Sequence, residues 1–448
     1  MADSPSERLA RRELTLPGVA ESTFAVLTLL LGSGAFMTLV TTQGQVGNQA
    51  GSMPGVEAVW GLIYLIALGL LARRCPGFLR QLLRQWPLVA LCGLAVLSTS
   101  WSDDPALTFR RSLALCLTII FGFYLARRFS LREQLHLLAW VCGISIAFSI
   151  PFGLLHLGST VEAIPGAWHG IYVQKGSLGI MMALGVVVFL LLAKAEPERR
   201  WRIRLGLLAS LILLVLSHSV TAYVVTAVMF ILLPLCGILR KSLGKALAGM
   251  GLTAVCGTAA LFWVFTHFAT FTDALGKSVT LSGRLQLWAL CVVMALQKPW
   301  LGYGFSAFWL GMHGPSYRIW LAMGVEMPHA HNGFIQIWLD LGLAGLALLV
   351  LVLLVYTIRA GLLIRRTTQP EAVWPLMLFA FLFLFMLTGV PIPSDNSLFM
   401  MIFSSCVFAT AMPIRDTAAE FSSVLSNGRR HTAAATGTGS VADLGSPA

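Results

Sequence analysis

Ser282-Gly283-Arg284-Leu285-Gln286-Leu287-Trp288 opens, and Pro328-His329-Ala330-His331-Asn332-Gly333 closes, the long stretch that carries most of the polar chemistry outside the apolar segments. Between them lies Pro299-Trp300-Leu301-Gly302-Tyr303-Gly304, and after them Phe334-Ile335-Gln336-Ile337-Trp338-Leu339-Asp340 begins an apolar run reaching about residue 357. A run of that length is enough to cross a bilayer, which takes about 20 apolar residues. The stretch therefore reads as a loop at a membrane surface that delivers a permanent cation and two histidines to the mouth of a membrane helix.

The rest of the chain agrees. Of its 448 residues, 57% are hydrophobic and only 11% charged, and the mean hydropathy is +0.80. That is too apolar for a water-soluble globule. Further apolar segments lie near 22–40, 57–72, 86–100, 111–126, 134–156, 177–193, 205–219, 221–239, 246–268, 374–390 and 397–413, which with 334–357 makes twelve expected spans. The fold expected is all-α, a polytopic helical membrane bundle. An even number of crossings puts both termini on one side. With that side taken as cytoplasmic, 24 of the 31 Lys and Arg residues fall in cytoplasmic segments, the asymmetry that orients membrane proteins. The other seven are Arg110, Arg111, Lys175, Lys277, Arg284, Lys298 and Arg318. The net charge of +12 gathers at the ends of apolar segments and forms no long run, so it points to topology and not to nucleic acid.

The organisation expected is a cytoplasmic tail over 1–21, nine spans over 22–268, an extracytoplasmic loop over 269–333, three spans over 334–413 and a disordered cytoplasmic tail over 414–448. The polar start of the chain, with no small-residue cleavage pattern behind the first apolar run, reads as an uncleaved first span. In the loop, Leu285–Leu296 and the aromatics Trp300, Phe305, Phe308, Trp309, Tyr317 and Trp320 suggest short helices against the membrane interface. The eight cysteines are scattered, with no Cys-x-x-Cys pair, and indicate neither a disulfide framework nor a thiol metal site.

Arg284 offers a planar fork of donors suited to phosphate oxygens, and His331 is of the residue type that exchanges protons near neutral pH. Together they suggest a reaction in which a phosphate leaves and a hydroxyl attacks. Each also has a plainer reading. An interfacial histidine often caps a helix or serves a hydrogen bond, and Lys175 or Arg110-Arg111 could simply snorkel to lipid head groups. Asn332, Gln336 and Asp340 recur every four residues, so the helix they begin carries one polar stripe, for which an interhelical hydrogen-bond ladder is the expected role of Asp340. His329 and His331, with His313 as a third ligand, could form a metal site, but no cysteine cluster or paired carboxylate accompanies them, and no metal is expected. Asp103 and Asp104 are adjacent and their side chains should diverge, so they do not read as a glycosidase pair. No cofactor is expected.

The Gly-Arg-x-x-x-Trp stretch from Gly283 to Trp288, the Pro-x-x-Gly-x-Gly run from Pro299 to Gly304, and His331-Asn332 followed by Gly342 and Gly345 resemble the O-antigen ligase and Wzy-type polysaccharide polymerase family. The Gly-Phe-x-x-Phe-Trp run ending at Trp309 is most similar to its exopolysaccharide polymerases. The resemblance implies a GT-C-like fold in a bacterial inner membrane and a glycan donor carried on polyprenyl pyrophosphate, used at the periplasmic face without nucleotide sugar or required metal. It implies His331 as catalytic base and Arg284 as pyrophosphate ligand, with Lys175, Arg111, Asn332 and His329 as substrate-binding candidates. A flippase and a chain-length regulator are the protein partners it suggests, beside membrane lipids. Two places depart from the family pattern: Gln174-Lys175-Gly176 replaces His-Lys-Asn, and Ser219-Val220-Thr221 replaces Ser-Arg-Thr, which removes an arginine. Lys175 or Arg111 would then supply the second cation. Polymerase is the reading adopted, with a ligase, a lipid-linked oligosaccharide transporter and a non-catalytic scaffold as alternatives.

Overall fold

The structure is a computed structural model that describes residues 18–39, 54–75, 78–155, 157, 166–242, 244–245, 248–249, 251 and 280–411. The expected span at 246–268, most of the N-terminal tail, the C-terminal tail and loop residues 269–279 thus lie wholly or largely outside the described residues. Every regular element described is helical. In chain order they are α1 (Val19–Gly32), α2 (Pro54–Arg74), α3 (Phe78–Leu83), α4 (Trp86–Leu97), α5 (Pro105–Arg128), α6 (Leu131–Leu154), α7 (Lys175–Ala195), α8 (Arg200–Leu216), α9 (Val220–Lys241), α10 (Thr280–Ala295), α11 (Tyr317–Met323), α12 (Gly333–Arg366), α13 (Trp374–Met386) and α14 (Leu398–Ala409). Helices stand at eleven of the twelve positions expected for spans. Among the described residues, six are long and apolar enough to cross a membrane: α2, α5, α6, α7, α9 and α12.

The local sequence explains where these helices start. Ser130 and Glu133 form a capping box at α6, each side chain bonded to the other's backbone N–H, which satisfies two amides that a helix start otherwise leaves bare. Asp104 caps α5 by accepting from Leu107 N at 3.0 Å, and Ser219 caps α9. Packing then sorts the helices from centre to rim. α7 has 78% of its most apolar window buried, against 22% for α2, so α7 is core and α2 presents its side chains outward, where a lipid-facing helix keeps them. Close approach between helices uses small residues, as membrane bundles do. A Cβ on Gly122 of α5 would lie 2.6 Å from the Met401 carbonyl of α14.

α12 runs over 34 residues but is broken at Gly342, whose backbone (φ 66, ψ −166) leaves the helical region. The Pro299–Gly304 run threads across that break. Tyr303 N and Gly304 N donate to the carbonyls of Leu339 and Asp340 at 2.8 and 3.0 Å, and Leu343 N and Ala344 N donate to those of Pro299 and Trp300 at 2.8 and 3.2 Å. Backbone groups that the interrupted helix can no longer pair are thereby satisfied, as burial requires. Glycine is needed on both sides of the splice. A Cβ on Gly342 would sit 2.2 Å from the Trp300 carbonyl group, and one on Gly302 2.5 Å from Leu339 O. The turn between α4 and α5 clamps the same run, with Trp101 Nε1 donating to Leu301 O at 3.1 Å and Phe305 N to Ser98 Oγ at 3.0 Å.

Candidate functional site

The segment from α10 to the first turns of α12 forms a small core of its own. Leu287, Cys291, Met294, Tyr303, Phe308, Trp309, Ile319, Ala330 and Leu339 are all buried in it. The described part of the loop is therefore a packed layer of helices on the N-terminal part of α12, filled by Phe308, Trp309 and Trp320, while Trp300 and Tyr317 stay exposed.

Onto this core the chain lays the turn His329-Ala330-His331. Trp288 of α10 donates its indole N–H to Ala330 O at 3.0 Å. Arg284 is one turn earlier on the same helical face, and its charge reaches His329. The structure thus brings Arg284 to the His329–His331 pair, which lies more than 40 positions later in the sequence. His331 adopts a left-handed backbone (φ 50), uncommon for a residue with a side chain and found where surrounding contacts hold it. Its N–H donates to His329 Nδ1 at 3.1 Å, and the two rings lie 4.1 Å apart at 63°. Burial, with His331 and then Arg284 adding to it, pushes His329 down to about 3. His329 is therefore a neutral imidazole whose Nδ1 is an acceptor. Asn332 caps α12, its Oδ1 accepting from Phe334 N at 3.0 Å and Ile335 N at 3.2 Å.

The polar stripe enters the protein, as a ladder. Gln336 Oε1 accepts from Trp309 Nε1 at 2.9 Å and from Ala330 N at 3.1 Å, while its Nε2 donates to Asp340 Oδ2 at 3.1 Å. Arg111 of α5 lies within electrostatic reach of Asp340 and of Asp395, in the turn between α13 and α14. Burial holds Asp395 above the ordinary carboxylate range, against the opposing pull of Arg111 and Arg110. Arg110 itself pairs with Glu57 at 2.8 Å. Lys175 heads α7, and the turn before it is tied down by His169 Nδ1 against Tyr172 O at 2.8 Å and by Tyr172 OH against Ser145 at 2.8 Å.

Asp103 and Asp104 diverge as expected. Asp104 caps α5, and Asp103 pairs with Lys298 at 2.9 Å, whose ammonium also lies 4.5 Å from the centre of the Tyr303 ring. Among the described residues, no three His, Cys, Asp or Glu side chains converge so as to hold a metal ion, and His313 does not join His329 and His331. Asp395 was missed by the sequence reading. Its signal was present: it is the one acid between Glu371 and Asp416.

Residues 205–350 match the family model described as O-Antigen ligase, Wzy_C. The match takes in α8 to α10, the packed loop, the His329–His331 turn and the break at Gly342. The exopolysaccharide production protein ExoQ of Rhizobium meliloti (strain 1021) is 26% identical over 274 residues, which cover 58% of this chain and 61% of that protein. The match thus spans less than two thirds of that relative's length. The resemblance read from Arg284, the Pro299–Gly304 run and His331 is borne out by both comparisons. The chain is thus similar to the O-antigen ligase family over residues 205–350 and to an exopolysaccharide production protein.

Proposed function

We propose that this protein is a polysaccharide polymerase that joins repeat units carried on polyprenyl pyrophosphate at the periplasmic face of a bacterial inner membrane. In the proposed reaction a sugar hydroxyl of the acceptor attacks the anomeric carbon of the donor and gives its proton to His331. The bond from that carbon to the pyrophosphate oxygen breaks, and its electron pair leaves with the pyrophosphate, whose growing charge Arg284 stabilises. Attack from the face opposite the leaving group inverts the anomeric configuration. The observation that carries this reading is the turn itself: a histidine in a strained backbone conformation, gripped by a buried core and set beside the helix that bears a guanidinium. No metal takes part in the proposed step. His329, neutral and in contact with His331, and Asn332 line the acceptor side. Lys175 or Arg111 supplies the second cation for the pyrophosphate. The proposal includes twelve crossings on a GT-C-like bundle with both termini in the cytoplasm, and a flippase and chain-length regulator as partners.

The description of the matching family favours a second reading, a ligase that moves finished glycan to a lipid or protein acceptor. One experiment separates the two. His331→Ala, expressed at matched level, should lower transfer by about 10²- to 10⁴-fold, the usual contribution of a general base, while lipid-linked repeat units accumulate. Polymer of normal length that is no longer attached to its acceptor would instead establish the ligase. Normal polymer, normally attached, would remove His331 from the chemistry.

A further inference from the structure

Gln336 is 8% exposed, and its buried amide makes three hydrogen bonds. Two donors meet its Oε1, the Trp309 indole and the peptide N–H of Ala330 between the two histidines. Its Nε2 donates to Asp340 Oδ2. An amide can be turned end for end with little change of shape, and these partners together, two donors on Oε1 and an acceptor on Nε2, decide which way this one faces. The next peptide, Ala330–His331, is held from α10, where Trp288 donates to Ala330 O. The two peptides that flank Ala330 are thus clamped, one by the helix that Asn332 caps and one by the helix that carries Arg284. A leucine or methionine would fill the same space but leave the Trp309 and Ala330 N–H groups buried without an acceptor, so the amide both satisfies these donors and fixes their direction.

We propose that Gln336 is a positioning residue for the reaction, fixing the left-handed His331 against the Arg284 helix, and that Asp340 acts through it by locking the amide's orientation. The charge of Arg111 on α5 lies within reach of Asp340. This rests on the reading of His331 as the reacting base.

Three variants test it. Gln336→Met removes all three hydrogen bonds. Gln336→Glu keeps the acceptor but sets two carboxylates face to face. Gln336→Glu combined with Asp340→Asn restores the contact with donor and acceptor exchanged. At matched inserted protein, each single variant should lower kcat by about tenfold to a hundredfold, the usual penalty for a reacting group displaced by about 1 Å. KM for the lipid-linked donor should hold, because Arg284 is untouched, and the double variant should recover most of the lost turnover. Wild-type kcat in Gln336→Met, or a double variant no better than Gln336→Glu, overturns the proposal. A normal rate in His331→Ala would defeat the functional reading instead, and the decision then passes to the ¹⁵N-labelled Ala330 amide, which donates to Gln336. Its N–H resonance should shift in Gln336→Met and return in the double variant if Gln336 clamps the turn, and an unshifted resonance refutes the clamp.

Discussion

The rim at one end of the helical bundle and the His329–His331 turn at the other hold their polar groups by different means. At the end where α5 finishes and α6 begins, charge meets charge. Arg128 and Glu21 pair at 2.7 Å with side chains only 3% and 8% exposed, Arg132 faces Glu371 at 3.6 Å and His136 meets Glu196 at 2.6 Å. Arg240 reaches the carbonyls of Thr368 and Gln369, and Arg359 reaches Gln85. At the opposite end, the His329–His331 turn is held by an indole, an amide and backbone groups. Ion pairs neutralise side chains and tie helix ends together. Hydrogen bonds to the backbone fix the shape of a turn and leave its side chains to be aimed elsewhere. The first arrangement suits a rim that must stay shut, and the second suits a site.

The largest effect on stability should come from the ion-paired end. Glu21→Gln leaves Arg128 buried without its carboxylate, which should cost about 3–5 kcal/mol, read as a lower unfolding midpoint in detergent, with transfer per folded molecule unchanged. An equal loss of specific activity would break the separation of the two ends. A smaller effect should appear with pH at the other end. His329 binds a proton only near pH 3 when folded and near 6.5 when unfolded. Between those values the unfolded chain holds the proton and the folded chain does not, so stability rises with pH, is complete above about 6.5 and is lost as pH falls toward 3. Unfolding midpoints measured from pH 7 to 4 should therefore fall less steeply in His329→Asn than in the parent chain. Parallel curves would show that His329 has no part in the acid response. The smallest effect belongs to the exposed pair Lys298–Asp103, whose side chains are 41% and 34% exposed. Lys298→Ala should cost no more than about 1 kcal/mol, and a larger loss would mean that the contact of Lys298 with the Tyr303 ring matters more than its charge pair.

The sequence showed an α-helical bundle because long apolar runs leave a backbone no other way to satisfy itself in lipid. It also showed the ingredients of the site, since Arg284, His331 and the polar stripe stand out against apolar surroundings. Their arrangement was less legible. Gly302, Gly304 and Gly342 are visible as glycines, but that the first two lie across a helix break made by the third is a pairing between segments about 40 residues apart, which no local pattern records. Lys298 and Asp103 are further apart still, and each alone looks like an ordinary charge beside a membrane. Gln336 was seen as part of a stripe, yet its hold on Ala330 depends on the chain turning back at His331 with a positive φ. Asp395 escaped notice because a single acid in an apolar third of the chain has no sequence neighbour to give it meaning.

The break at Gly342 has a mechanical consequence. Helices that cross a bilayer tilt, and tilt by different amounts in bilayers of different thickness. An unbroken rod would carry that lean straight to Asn332 and the histidines. Here the rod is jointed, and the piece above the joint is fastened to the α4–α5 turn through the Pro299–Gly304 run. The lower piece can follow the bilayer while the upper piece keeps its aim.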